Sequence, residues 1–139
     1  MTLIPRKQKY KKQYKGKSFN KIHSVFALNT LKFGSYGLKA LTTGRLTSKQ
    51  IEAMVNSINK IIKKTGRLVL KVFPHTPVSK KPIEVRMGKG KGNVDHFIAK
   101  IKAGVLLCEV ETTSKALALK ALTLAQIRLP LKTKIIFTL

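Results

Sequence analysis

Three kinds of side chain in this sequence could carry chemistry: a glycine-lysine run at Arg86-Met87-Gly88-Lys89-Gly90-Lys91-Gly92, three scattered histidines, and one cysteine. Glycine opens backbone conformations closed to other residues and lets a partner approach the main chain. Lysine adds a mobile point charge suited to phosphate. The run contains no acid and nothing able to pack a core, so alone it reads either as a solvated loop or as a phosphate-seeking finger. As a nucleotide cradle it fails. A P-loop needs glycine, four residues, then Gly-Lys-Ser/Thr opening a helix, but Asn93 stands five beyond Gly88 and a strand is expected to follow. A dinucleotide fingerprint would need glycine at that same position. His23, His75 and His96 are each read as lone histidines, and the five acids (Glu52, Glu84, Asp95, Glu109, Glu111) are dispersed along the chain. Acid–base catalysis needs such groups brought together, so no enzyme activity is expected. A single Cys108 excludes an internal disulfide and gives no zinc-ligand set; in Gly104-Val-Leu-Leu-Cys-Glu-Val110 it reads as a small buried hydrophobe. No cofactor and no metal are expected.

Charge supplies the partner class. The chain has 139 residues, 29 lysines and arginines against five acids, a formal net charge of +24 and a pI of about 10.6. Self-repulsion of that size disfavours a compact free protein and calls for a polyanion, and nucleic acid fits best. The length suits one domain. Residues 1–22 are expected to form a basic arm and residues 23–139 a single folded body. From Arg6 to Lys21 the arm reads RKQKYKKQYKGKSFNK, eight cations in sixteen residues and no acid. Tyr10, Tyr14 and Phe19 lie among these charges, a mixture that serves backbone neutralisation and base stacking; the competing reading is a disordered solubilising tail. No apolar run reaches the roughly 18 residues of a membrane span, and the amino terminus lacks the features of a secretory signal. A reducing, soluble compartment is expected.

The elements that must hold the loop can be read in order. Val25 to Leu41 suggests one or two strands bent at Gly34 or Gly37. Thr43-Gly44-Arg45-Leu46 reads as a turn into a helix, with Thr47 and Gln50 as a capping box. Ile51, Met54, Val55, Ile58, Ile61 and Ile62 recur at helical spacing, and Gly66 reads as the stop. Lys60, Lys63 and Lys64 fit either a solvated face or phosphate contact. Arg67–Phe73 is a strand, the proline-marked segment 74–82 an extended loop, and Ile83–Arg86 a short strand leading into the glycine-lysine loop. Val94–Lys102 alternates like a strand and turns at Gly104 as a tight hairpin into Val105–Glu111. A second helix from Thr113 or Ser114, apolar nearly all round, ends before Pro130, and Lys132–Thr138 closes the fold as a strand. The expectation is an α+β fold, two helices packed on a mainly antiparallel sheet.

Tyr10-Lys-Lys-Gln-Tyr-Lys-Gly16, Gly44-Arg-Leu-Thr-Ser-Lys-Gln-Ile-Glu-Ala53, Val72-Phe-Pro74 with Pro77 and Lys81-Pro82, Glu84-Val-Arg-Met-Gly-Lys-Gly-Lys-Gly92, and Leu129-Pro-Leu-Lys-Thr-Lys134 together resemble the L-sixteen family of large-subunit ribosomal proteins. The resemblance runs from about Lys7 to Ile136 and is densest at the glycine-lysine segment. It implies a structural role on large-subunit rRNA near the peptidyl transferase region, beside the A-site tRNA and neighbouring subunit proteins, with a part in late assembly. Carried onto this chain, Arg6, Lys7, Lys9, Tyr10, Lys11, Lys12, Tyr14, Lys15, Lys17, Arg45 and Lys49 become rRNA contacts. Arg86, Met87, Gly88, Lys89, Gly90, Lys91 and Gly92 become a loop facing tRNA. The chain departs from the family after Gly16, where KSFNKIHSVF replaces the usual arginine- and glycine-rich stretch.

Charge alone also permits a free-standing nucleic-acid chaperone or nucleoid-type protein. Lysine outnumbers arginine 24 to five, a bias expected of an A+T-rich genome. The compartment read from it is a mitochondrial ribosome encoded in the organelle, with a plastid or a bacterial cytoplasm as alternatives.

Overall fold

A computed structural model describes residues 3–14, 16, 30–63 and 65–138. Thr47 begins the first helix as its sequence requires: its Oγ1 accepts the Gln50 N–H at 3.3 Å while Gln50 Oε1 accepts the Thr47 N–H at 2.9 Å. The helix, α1 (Ser48–Ile62), buries Ile51, Met54, Ile58 and Ile62 on one face. It stops earlier than Gly66. Lys63 adopts a positive φ of 47° and donates its N–H to Asn59 O at 2.9 Å, and Gly66 instead opens a strand. Lys64 lies outside the described residues.

Among the described residues seven strands, β1 (Tyr36–Ala40), β2 (Gly44–Thr47), β3 (Gly66–Leu70), β4 (Thr76–Lys80), β5 (Asn93–Ile101), β6 (Leu106–Thr112) and β7 (Thr133–Phe137), join α1 and α2 (Lys115–Ile127). They form two antiparallel sheets, ordered β3-β6-β1-β7 and β2-β5-β4. This is the expected α+β class, with the strands divided between two sheets. One core runs through both, drawing Leu38 from β1, Leu46 from β2, Ile101 from β5, Val110 from β6 and Leu122 from α2 onto the buried face of α1. Cys108 is fully buried there, and burial pushes its thiol up to about 12.

Several local expectations are corrected. Gly44–Leu46 is strand, paired with β5 from Gly44 opposite Ile101 to Thr47 opposite Ile98. Residues 76–80 are strand despite Pro77, because β4 is a sheet edge where a missing N–H leaves no ladder bond unmade. Ile83–Arg86 is an exposed turn, with the Val85 N–H on Pro82 O at 3.3 Å. Gly104, at φ 90°, makes no hairpin: its N–H bonds Ala40 O at 2.7 Å, and the chain passes from one sheet to the other. α2 buries one face only, leaving Leu124 and Ile127 exposed. β1 begins at Tyr36; the residues expected as strand at 25–29, with Phe19 and His23, lie outside the described residues.

The one wholly buried acid is Glu109, in the middle of β6 between Gly37 of β1 and Val69 of β3. Its Oε2 accepts the N–H groups of Phe33 at 2.6 Å and Lys32 at 3.0 Å. Its Oε1 lies 2.9 Å from Lys71 Nζ, and that ammonium sits 4.4 Å from the Phe33 ring centroid. Burial by itself raises the Glu109 pKa, but the Phe33 N–H, the Lys71 ammonium and the Lys32 N–H outweigh it and hold the carboxyl below its ordinary value. Glu109→Gln leaves the partly exposed Lys71 without its carboxylate and is expected to cost about 1–3 kcal/mol near neutral pH. A depressed folded pKa gives stability that is complete above the unfolded value of about 4.3 and is lost as pH falls through the folded value. Urea unfolding of both proteins should therefore show the gap narrowing in acid; a pH-independent gap would refute the assignment.

Candidate nucleic-acid interface

The glycine-lysine loop hangs between β4 and β5, spanning residues 81–92. Its base is closed by Gly92, where an added Cβ would stand 2.7 Å from Lys80 O. Its tip is shaped chiefly by backbone conformation. Gly88, Lys89 and Gly90 take consecutive positive φ values of 104°, 51° and 81°, a region in which side chains other than glycine are strained. Space around both glycines is open, so dihedral angle, not crowding, demands glycine there. Lys81 Nζ braces the tip by donating to Gly88 O. Arg86 and Lys89 are exposed and form no hydrogen bond or ion pair with a described residue; Met87 is 98% exposed.

The arm lies along the body and reaches this loop. Leu3 N–H donates to Glu52 Oε1 at 2.8 Å, and Gln8 Nε2 to His75 O at 3.0 Å. Lys12 Nζ then donates to Lys91 O and Lys91 Nζ to Gln13 O, both at 2.7 Å. Further on, Arg45 Nη2 holds Gly16 O at 2.8 Å. Arg6, Lys7, Lys9, Tyr10, Lys11 and Tyr14 are exposed, with Lys9 Nζ 5.5 Å from the Tyr10 ring centroid. Arg45 is half-buried, directly across the β2–β5 ladder from Lys100, and Lys49 is exposed on the first turn of α1. Lys15 and Lys17 lie outside the described residues. The structure thus brings the arm, the loop and the Arg45 strand together, while dividing the loop cations: Arg86 and Lys89 face outward, and Lys91 turns back to the arm. Sequence reasoning missed Gln8 and Lys81, because single polar residues bonding distant carbonyls leave no periodic signal.

His96 is not alone. Its Nδ1 lies 2.9 Å from Asp95 Oδ2, and this hydrogen bond lowers the Asp95 pKa. The pair is at the surface, and no serine, threonine or cysteine among the described residues bonds to His96. Among the described residues no group of three or more His, Cys, Asp or Glu could hold a metal, and no helix is long and apolar enough to cross a membrane.

Exposed cations on backbone-shaped segments, mounted on an α+β scaffold, define a basic structural protein. The chain belongs to the family described as ribosomal protein L16p/L10e, whose model matches residues 5–136. It is 47% identical over 131 residues to the large ribosomal subunit protein uL16 of Dichelobacter nodosus, covering 94% of this chain and 93% of that one. The uL16 proteins of Psychrobacter cryohalolentis and Rickettsia bellii are 46% and 45% identical over 134 residues, covering 96% of each chain. Membership makes this chain a structural, non-enzymatic constituent of the ribosome.

The two bonds joining Lys12 and Gln13 of the arm to Lys91 of the loop make a direct forecast. Lys91→Ala removes one bond of the pair and is expected to speed chymotryptic cleavage after Tyr10 and Tyr14 a few-fold, the effect of roughly 1 kcal/mol. Lys89→Ala should leave that rate unchanged. Equal rates in the two variants would dissociate the arm from the loop.

Proposed function

We propose that the chain is a constituent of the large ribosomal subunit, that its arm and Arg45 strand bind large-subunit rRNA, and that its loop faces the A-site tRNA near the peptidyl transferase centre. The observation that carries this reading is a loop tip with outward Arg86 and Lys89 on a left-handed glycine backbone, tied at Lys91 to a basic arm. The names of the relatives support the subunit. In this reading residues 1–22 are the arm and 23–139 the body. Arg6, Lys7, Lys9, Lys11, Lys12, Lys15, Lys17, Arg45 and Lys49 neutralise rRNA phosphates, and Tyr10 and Tyr14, 60% and 77% exposed, stack on unpaired bases. Arg86, Met87 and Lys89 approach tRNA, while Gly88, Gly90 and Gly92 set the reach. Docking of the arm also supports late subunit assembly beside neighbouring subunit proteins. For compartment, the lysine bias supports an organelle-encoded mitochondrial ribosome; the bacterial relatives are equally consistent with its alternative, a bacterial cytoplasm.

Phosphate neutralisation releases counterions, so log affinity for rRNA fragments should fall by roughly 0.7 to 0.9 per contacted phosphate for each log unit of salt. A slope near zero sinks the electrostatic reading. Co-sedimentation with the large subunit in moderately high salt separates it from a free-standing nucleic-acid chaperone, which would be washed off. Replacing Arg86 and Lys89 together by alanine should leave subunit assembly intact and weaken A-site tRNA binding about tenfold, the loss of two exposed phosphate contacts. Normal tRNA affinity in such subunits would reduce the loop to a spacer.

A further inference from the structure

The two helices pack side by side and leave a groove of about 570 Å³ between their outer faces. Spacing places its residues there. On α2 and its C-cap, Lys120, Leu124 and Arg128 recur every four residues; on α1, Ala53, Lys60 and Ile61 lie seven and eight apart, so each set shares one helix face. The apolar part continues outward through Leu124 and Ile127, which are 42% and 72% exposed. Three cations, Lys60, Lys120 and Arg128, line the groove, and none meets an acid or a hydrogen-bond acceptor among the described residues. Nor do the helices supply an acid to neutralise them. α2 contains none, and the single acid of α1, Glu52, already accepts the Leu3 N–H.

This surface differs in kind from the arm. It is a groove between two helix faces, lined by Ala53, Ile61 and Leu124, and the exposed rings on which bases could stack, Tyr10, Tyr14, Phe33, Phe73 and Phe137, all lie outside it. Aliphatic side chains between unpaired cations suit a helix that buries leucine-type anchors and sets carboxylates against the lysines. We propose that the α1–α2 groove seats an acidic amphipathic helix of a neighbouring protein. The assignment does not depend on where the arm and loop bind.

Cys108 is fully buried, so a cysteine placed at the groove is the accessible thiol among the described residues. Leu124→Cys, with Ile127→Cys just outside the groove as a second variant, is carried into assembled ribosomal subunits, and maleimide labelling is compared with the free protein. The groove thiol should be protected roughly tenfold in the subunit, as at a buried interface core. A photo-crosslinker on that thiol should join a protein segment rich in Asp and Glu with apolar residues at helical spacing. Adding Lys60→Glu and Lys120→Glu should reduce that crosslink about tenfold or more while the chain stays in the subunit. Should the reversed pair not incorporate, Lys60→Gln with Lys120→Gln gives the same readout. Equal labelling in both states, a crosslink to rRNA, a crosslink to a segment without acids, or one indifferent to the lysine changes would each overturn the assignment.

Discussion

With 29 cations and five acids, this chain folds against its own field, and wherever two segments meet the usual acceptor for a lysine or arginine is missing. Backbone carbonyls take its place. Lys12 bonds Lys91 O, Lys91 bonds Gln13 O, Lys81 bonds Gly88 O and Arg45 bonds Gly16 O. A carbonyl satisfies the donor without cancelling the charge, so the attachments form while the outward field stays intact. A carboxylate is used instead at Glu109, where full burial of an unpaired acid would be costly.

That distinction separates the acids by role. Glu109 fastens the segment before β1 through two N–H groups and Lys71, and Glu52 receives the amino-terminal end of the arm. Asp95 is engaged with His96 at the surface. None of these three sits on the loop tip, whose cations are left to act on whatever approaches.

Much of this was legible in the residues. The capping box at Thr47, the apolar repeat from Ile51 to Ile62 and the burial of Cys108 follow from local chemistry that tertiary structure had no reason to override. Three of the misread parts share a cause, because each depended on which strand lies next to which. Pro77 looked like loop until β4 proved to be an edge, Gly44 like turn until β2 paired with β5, and Gly104 like a hairpin until its two strands went to different sheets. Lys63 took the positive φ that Gly66 was expected to supply. At the candidate site, the loop and its cations were visible as composition. The inward turn of Lys91 and the approach of the arm were not, since they join residues 78 or 79 positions apart.

β2 runs into α1 without an intervening residue: Thr47 is both the last residue of the strand and the cap of the helix. The same strand is laddered to β5, whose first residue, Asn93, follows directly on the loop base at Gly92. A load applied to the glycine finger is therefore handed along β5 and its ladder with β2 to the first turn of α1.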